Sequence, residues 1–395
     1  MIRNTRSWRV AAAAVAAGLT LAACGTTEDS GSENDTDSAS GDGGSAACDV
    51  SLAFFGPQTG PAAGLGQPII QGAQLAIDEY NADAECEVGY ELIDSQGSPD
   101  QAPALATEAA GNEAIIGIVG PAFSGESAAA GPIFAEAGLP TVTPSATNPT
   151  LADNGWDTFH RALGNDATQG PAAATYIQDV VGAKAVFVID DASEYGAGLA
   201  GIVKENLGDL VVGEDTIQVG DTDFSATVTA VTSSDADTVF FGGYYAEAAL
   251  IIAQLRDGGF EGNFVVADGV KDPAYVDGAK EAAEGTVITC PCIPADDPEV
   301  ADNPATAEFA EAYEAEFGEA PGTYAAEAYD AASIFLDGIT EGIDNREDML
   351  TFINEYDEEG VTKQLSFDEK GEPADVHIYA YTVEGGEIVS DQEIE

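Results

Sequence analysis

The chain has 395 residues and is strongly acidic, because 71 Asp and Glu are set against only 12 Lys and Arg, which gives a formal net charge of −59 at pH 7. Binding to nucleic acid requires clusters of basic side chains, yet beyond the first ten residues the basic residues are scattered singly from Arg161 to Lys370. The composition therefore excludes nucleic acid as a partner. Repulsion among the carboxylates weakens the compact state unless salt screens it. The high acidity therefore favours adaptation to a saline habitat over the alternative, an unusually acidic secreted protein.

The N-terminal segment reads as a secretory leader. Three arginines precede an apolar run at 10–21, and the sequence Leu21-Ala22-Ala23-Cys24 closes it. This pattern predicts a signal peptide over residues 1–23, and its final cysteine resembles that of a bacterial lipoprotein, in which Cys24 takes a diacylglycerol and becomes the mature N-terminus. The alternatives are a signal peptide with an incidental cysteine and a short membrane anchor, although the apolar run is shorter than the roughly twenty residues that span a bilayer.

Residues 24–47 contain Gly, Ser, Thr and acidic residues but no large apolar side chain. Such a segment cannot bury a core, so we predict a disordered acidic linker. The chain that follows is long enough for two ordinary domains with cores of their own. A lipid anchor, a flexible linker and a large body together predict a domain held at the extracytoplasmic face of the cell membrane.

Four cysteines remain besides Cys24, an even number that favours disulfides in an oxidising compartment: Cys48, Cys86, Cys290 and Cys292. Cys48 and Cys86 open the first two predicted strands, so a bridge between them is reasonable if those strands are parallel neighbours. Cys290 and Cys292 have one residue between them, and the sequence leaves open whether they form a bridge or stay free thiols. Zinc is the weaker interpretation, since His160 and His377 are both distant in sequence.

Short apolar runs alternate with amphipathic stretches along the body of the chain. The runs predict strands at 50–55, 88–94, 115–119, 185–190, 211–219, 238–242 and 264–267. The stretches between them predict helices at 68–80, 99–110, 125–137, 168–181, 199–207, 224–231 and 246–257. A mainly helical region at 305–356 follows, and the chain returns to strands at 363–367 and 375–383. This alternation predicts an α/β fold with parallel sheets covered on both faces.

Ligands of open α/β sheets bind at the carboxyl ends of the strands, so the loops at 56–61, 120–127 and 143–147 are the candidate binding segments. Ser124 in the second loop precedes a helix and can bind an anion or simply cap the helix. The GxGxxG match at 196–201 is a poor dinucleotide motif, because three nearby carboxylates would repel a pyrophosphate. A hydrolase is also disfavoured, since the chain has no GxSxG or HExxH motif and only two histidines.

Several of these segments together resemble the leucine/isoleucine/valine-binding proteins of ABC importers, which have the type I periplasmic-binding fold. The matching stretches are FGPQTGP at 55–61, QGAQLAIDEYN at 71–81, VTPSAT at 142–147, YG at 195–196, GGY at 242–244 and FDEKG at 367–371. They occur in the order of that family across nearly the whole chain after the linker. Each stretch alone is weak evidence for the family, but the six stretches together are specific to it.

The resemblance implies two lobes, each a mostly parallel sheet with helices on both faces, that close on the ligand by a hinge. Three crossings are expected near Asn165, Pro294 and Asp375, so that lobe 1 comprises 48–165 and 294–375 and lobe 2 comprises 166–293 and 376–395. The implied function is that of a monomeric solute receptor without cofactor, metal or enzymatic activity. It would capture a branched-chain or other aliphatic amino acid between the lobes and pass it to an ABC permease. The alternatives are a ligand-sensing module of the same fold and a binding protein for amides, urea or aromatic acids.

The resemblance also implies the ligand-binding residues. Ser124 and Thr147 would hold the α-carboxylate, and the Ser145 backbone, the Thr147 hydroxyl and Asp268 would hold the ammonium. Tyr195 and Tyr244 would close on the ligand from the second lobe.

Three positions depart from the pattern of the family. Asp268 stands where a glutamate is usual, Leu65 replaces an aromatic residue that covers the ligand side chain, and Tyr324 occupies the position of another aromatic residue of the pocket. With these departures a zwitterionic ligand is still expected, but the sequence leaves open whether that ligand is leucine.

Overall fold

The computed structural model describes residues 46–297, 301 and 303–394. The predicted signal peptide, Cys24 and most of the predicted linker lie outside the described residues. The first strand already begins at Ala46, so the last two residues of the predicted linker belong to the folded body. Within the described part of the chain, no helix is long and apolar enough to cross a membrane.

Fourteen strands are described, and the strands predicted from the sequence account for nine of them. They are β1 Ala46–Gly56, β2 Cys86–Asp94, β3 Ile115–Val119, β4 Thr141–Thr143, β5 Phe159–Arg161, β6 Val186–Asp190, β7 Val211–Thr216, β8 Thr238–Gly242, β9 Asn263–Ala267, β10 Val287–Cys290, β11 Asp357–Glu359, β12 Gln364–Ser366, β13 Tyr379–Glu384 and β14 Glu387–Glu393. The α-helices are α1 Ala63–Asp83, α2 Ala102–Gly111, α3 Ser124–Glu136, α4 Asp166–Tyr176, α5 Glu194–Leu207, α6 Ser225–Ser233, α7 Tyr245–Asp257, α8 Pro273–Ala279, α9 Pro304–Phe317, α10 Ala325–Thr340 and α11 Arg346–Asn354.

The strands form two main sheets. The first has the order β2-β1-β3-β4-β5 and is parallel throughout. The second has the order β14-β13-β10-β9-β8-β6-β7, in which the β13–β14 hairpin adds an antiparallel edge to five parallel strands. Central strands such as β3 and β8 are buried along their whole length, as expected for parallel strands covered by helices on both faces.

The chain passes between the two sheets in three segments. It leaves the first sheet after β5 and enters the second at β6, it leaves the second after β10, and it returns to it between β12 and β13. These segments contain Asn165, Pro294 and Asp375. The helix α10, which follows the second segment, packs along α1 beside the first sheet.

The sequence pattern missed five strands, β4, β5, β10, β11 and β14, and extended β7 by three residues beyond Thr216. Of these, β14 is an edge strand without a buried residue, so it carries no apolar run. Strands of three or four residues are too short for a periodic pattern to reveal them. Strand β5 also contains His160 and Arg161, which are buried although they are polar. Arg161 is tolerated there because it has hydrogen-bonding partners for its charge and its N–H groups.

Two disulfides are present among the residues that the structure describes. Cys48 and Cys86 join the starts of the parallel neighbours β1 and β2, with their Cα atoms 5.0 Å apart. Cys290 and Cys292, whose state the sequence left open, are also bonded to each other, at the end of β10. Both of these cysteines are fully buried.

Candidate functional site

The candidate site lies where the carboxyl ends of both sheets face each other. From the first sheet, the loop after β3 leads into α3 at Ser124, and the loop after β4 carries Ser145 and Thr147. From the second sheet, Tyr244 follows β8 and Asp268 follows β9 directly. This placement follows the general rule that ligands of open α/β sheets bind beyond the carboxyl ends of the strands.

Nine residues line a small chamber between these loops, and seven of them are among the eight predicted from the sequence. They are Leu65, Phe123, Ser124, Ser145, Tyr195, Tyr244, Asp268, Gly269 and Tyr324. Thr147, the eighth, is fully buried and does not line the chamber in this closed form. The space left for the centre of a water molecule is about 10 Å³, which holds about one water, so the chamber is closed.

Asp268 is the acidic group of the chamber, and its side chain is only 1% exposed. Its Oδ1 accepts hydrogen bonds from Gln169 Nε2 at 2.7 Å and from Tyr195 Oη at 2.9 Å, and its Oδ2 accepts one from Tyr324 Oη at 2.5 Å. Burial raises the pKa of Asp268, while the three donors act in the opposite direction. Gln169 was missed by the sequence analysis, because nothing in a helical pattern shows that its amide also reaches Thr289 O at 2.8 Å.

Tyr324 joins the two halves of the site. It precedes α10, which packs beside the first sheet, and it donates to a carboxylate that follows a strand of the second sheet. Its backbone is in the left-handed region, with φ at 69°, a conformation that is rare for a bulky residue and common at functional sites. That conformation sends the phenol into the chamber, where its hydroxyl occupies one oxygen of Asp268.

Aromatic rings form much of the chamber wall. Phe123 and Tyr244 have ring centroids 4.9 Å apart, and Tyr195 and Tyr244 have centroids 5.3 Å apart. Leu65, which is also buried, contributes an aliphatic side chain to the same wall. Phe123, like Gln169, was not predicted, although an aromatic residue directly before Ser124 was visible in the loop after β3.

The first sheet contributes hydroxyl and N–H groups. The alternative role of Ser124 as a plain N-cap is wrong, because Phe123 takes the N-cap position of α3 and Ser124 is the first helical residue. Glu126 Oε2 accepts from the Phe123 N–H at 3.0 Å, which completes the start of the helix. The Ser124 hydroxyl accepts from the Asn148 N–H at 3.2 Å, and the Ser145 hydroxyl donates to Ala122 O at 2.6 Å.

A second buried acid, Asp166, lies behind the chamber near Thr147 and Asp268. Burial raises the pKa of Asp166 to about 8 and the charge of Asp268 raises it too, while the Thr147 hydroxyl and Arg161 act in the opposite direction. Among the described residues, no hydrogen bond of ordinary geometry reaches either Asp166 oxygen or Thr147 Oγ1. Two buried carboxyl groups thus lie close together with raised pKa values, and a cationic group in a ligand would favour their ionised forms.

A wider cavity of about 1080 Å³ lies outside the Phe123–Tyr244 pair, between the same two sets of loops. Its lining includes Glu126, Asp191 and Glu247, and no basic residue of the described chain lines it. Burial raises the pKa of Glu126 to about 7 and that of Asp191 to about 6. A positively charged group is therefore attracted towards the chamber from this side.

The glycines at 196–201 do not form a phosphate-binding loop. They lie within α5, whose first turn packs tightly on the end of β8. A Cβ atom on Gly196 would clash with Asp191 and approach Gly242 O to 2.5 Å, so this glycine allows close packing. Within the described chain no group of three or more His, Cys, Asp or Glu is arranged to hold a metal ion.

Residues 49–387 match the family model described as periplasmic binding protein. The chain belongs to this family. This periplasmic binding protein is 31% identical to the leucine-specific-binding protein of Salmonella typhimurium over 337 residues, which cover 83% of this chain and 89% of the relative.

Solved structures give the same result for the fold of this periplasmic binding protein. A leucine binding protein, LivK, from Thermotoga maritima has a TM-score of 0.81 at 30% identity, covering 88% of this chain and 99% of that one. The branched-chain amino acid transporter substrate binding protein LivJ from Streptococcus pneumoniae, solved with isoleucine, has a TM-score of 0.80 at 29% identity, covering 87% and 99%. The predicted two-lobed type I fold is confirmed, and these relatives are solute-binding proteins of transporters rather than enzymes.

Proposed function

We propose that this protein captures a small zwitterionic amino acid, branched-chain or otherwise aliphatic, in the chamber and delivers it to an ABC permease. The observation that supports this most is the buried carboxylate of Asp268, which faces the start of α3 and the 143–147 loop across an apolar chamber. A zwitterion needs an acidic acceptor at one end and N–H or O–H donors at the other. The names of the relatives above agree with such a ligand.

Each side chain has a role in this proposal. Asp268, the Ser145 carbonyl and the Thr147 hydroxyl bind the ammonium, and Ser124 with the first N–H groups of α3 binds the carboxylate. Leu65, Tyr195, Tyr244 and Tyr324 enclose the aliphatic side chain. Because the closed chamber holds about one water, entry of an amino acid requires the two lobes to separate and Tyr324 to leave Asp268.

A thermal-shift screen tests this proposal. L-leucine, L-isoleucine and L-valine are compared with acetamide, urea and benzoate, and a specific ligand at one hundred times its Kd should stabilise the folded protein by about 2.7 kcal/mol. We expect stabilisation by at least one of the amino acids and none by the other three compounds. Stabilisation by an amide, urea or benzoate alone would refute the zwitterionic ligand while keeping a solute receptor.

We also propose that Cys24 carries a lipid that anchors the protein to the membrane, as the sequence at 21–24 predicts. If Cys24 carries the lipid, Cys24→Ser should move the protein from the membrane fraction to the soluble fraction or leave it with its signal peptide uncleaved. Fractionation followed by immunoblotting and mass measurement of the N-terminus reads out both effects. Cys48→Ser, which removes a cysteine that lies outside the leader, is the control and should remain in the membrane fraction. Normal cleavage with full membrane retention of Cys24→Ser would contradict the lipid anchor.

A further inference from the structure

Arg161 holds the loop that carries Thr147. Its guanidinium is fully buried at the end of β5, where Nη1 donates to Ala146 O and Nη2 donates to Asn148 O at 3.0 Å. These two carbonyls belong to the residues on either side of Thr147. A planar group with donors in a fixed arrangement thus sets the backbone on both sides of a proposed ligand-binding residue.

The charge of Arg161 is balanced by Glu372. Arg161 Nη2 lies 2.9 Å from Glu372 Oε1 and Arg161 Nε lies 3.0 Å from Glu372 Oε2, which is a bidentate pair. The turn at 368–372 presents Glu372, because Asp368 Oδ1 accepts from the Lys370 and Glu372 N–H groups at 2.8 and 3.0 Å.

Gly371 brings that turn against β5. Its φ is +74°, a Cβ atom there would clash with Phe159 O, and its own carbonyl accepts from the Arg161 N–H at 2.9 Å. The FDEKG stretch at 367–371, which the proposed ligand contacts leave without a role, therefore seats Glu372 beside Arg161.

Both partners also adjoin segments that run between the two sheets. The chain leaves the first sheet directly after Arg161, and five residues later the Asp166 N–H donates to Thr147 O at 2.9 Å. Glu372 precedes the segment that returns to the second sheet at β13. Hydrogen bonds thus connect both segments to the backbone around Thr147.

We propose that Arg161 and Glu372 are positioning residues, which hold the 143–148 loop in its ligand-binding geometry and couple that loop to two of the interlobe segments. This inference rests on the proposed function, since it assigns the pair to the same site. A buried ion pair contributes little net stability compared with a well-packed apolar alternative. The bidentate geometry and the two flanking carbonyls point to the placement of the loop as the purpose of the pair.

Arg161→Lys tests the inference, and Arg346→Lys is its matched control. Like Arg161, Arg346 donates to backbone carbonyls, but it lies outside the chamber. Its three acceptors are the carbonyls of Ile115, Ala110 and Asn112, at 2.8, 3.0 and 2.6 Å. A lysine cannot reproduce either set of contacts, so both variants should unfold at a lower temperature. We expect Arg161→Lys to raise the Kd for the tightest-binding amino acid of L-leucine, L-isoleucine and L-valine by about tenfold or more, and Arg346→Lys to change it less than about twofold.

Amide hydrogen exchange gives a second measurement that requires no ligand. In Arg161→Lys, we expect the amides of Ala146 and Asn148 to exchange at least about tenfold faster relative to the buried strand β8, with no such change in Arg346→Lys. Glu372→Gln keeps the arginine, and it should also raise the Kd and speed amide exchange in the loop. The protein that carries both Arg161→Lys and Glu372→Gln should be impaired less than the sum of the two single effects. If Arg161→Lys and Glu372→Gln keep wild-type exchange in this loop, the inference fails. If the wild type binds no amino acid, the proposed function fails and the exchange rates alone decide the inference.

Discussion

Asp268→Asn should weaken the binding of a zwitterionic amino acid by at least about tenfold while the empty protein stays about as stable as the wild type. The amide can keep its oxygen towards Gln169 and Tyr195 and turn its NH₂ towards the Tyr324 hydroxyl, which can accept a hydrogen bond as well as donate one. The substitution also removes a charge that burial disfavours, as the raised pKa of Asp268 indicates. What it loses is the charge-assisted bond to the ammonium, worth roughly 1.5–3 kcal/mol.

Calorimetric titration of both proteins with the best amino acid of the screen, together with their unfolding midpoints, measures the two effects separately. Asp330→Asn is the matched control, because Asp330 is also buried and accepts three hydrogen bonds, from Val361 N, Thr362 N and Thr362 Oγ1, away from the chamber. The control should change stability without changing affinity. Wild-type affinity in Asp268→Asn would mean that no ammonium sits at this carboxylate, and the amino acid proposal would then give way to a neutral ligand.

The free energy of unfolding should fall as the pH rises from about 5 to about 8. Burial raises the pKa of Glu126 to about 7, of Asp166 to about 8 and of Asp191 to about 6. The native state therefore binds more protons than the unfolded chain in this range, and stability is lost as each group ionises in the folded protein. Burial lowers the pKa of His160, which acts in the opposite direction, but the buried acids with raised pKa values outnumber it. Release of self-repulsion at lower pH adds to the same trend.

Glu126→Gln isolates one of these groups. Glutamine imitates the protonated acid, since its oxygen can accept from the Phe123 N–H and its NH₂ can donate to the Ser95 hydroxyl. Its stability advantage over the wild type should grow by roughly 2–3 kcal/mol between pH 5 and pH 8, because one pKa unit corresponds to about 1.4 kcal/mol. Glu136→Gln removes the same charge from an exposed position on α3 and serves as the control. Denaturant unfolding at pH 5 and pH 8 measures the free energy of unfolding of each protein. If the difference between Glu126→Gln and the wild type is the same at both pH values, the raised pKa of Glu126 is contradicted.

Periodicity and composition predicted the order of the longer strands and helices, because a fully buried strand such as β3 must be apolar along its length. They missed β4 and β5, strands of three residues that pair with each other at one edge of the first sheet, because tertiary contacts alone decide their conformation. The resemblance to a family placed seven of eight proposed ligand residues on the chamber wall. It did not reveal Gln169.

The Arg161–Glu372 pair was missed for a different reason. Its members lie 211 positions apart in the sequence, and each alone reads as an ordinary charged residue in an acidic chain. Asp166 likewise reads as the acidic residue of a helix start, and only the folded structure shows that it is buried beside Asp268. Charged groups that act through distant backbone segments leave no periodic trace in the sequence.

The hydrogen bond between Tyr324 and Asp268 has a kinetic consequence. The closed chamber has room for about one water, and Tyr324 Oη donates to Asp268 Oδ2 across it, so under the proposed function an amino acid cannot enter the closed form and capture has to begin from an open form. The apparent affinity is then the intrinsic affinity reduced by the fraction of molecules that are open. Under the proposed function, capture at high solute concentration is then limited by how often the lobes separate and the Tyr324–Asp268 hydrogen bond breaks, rather than by diffusion of the solute.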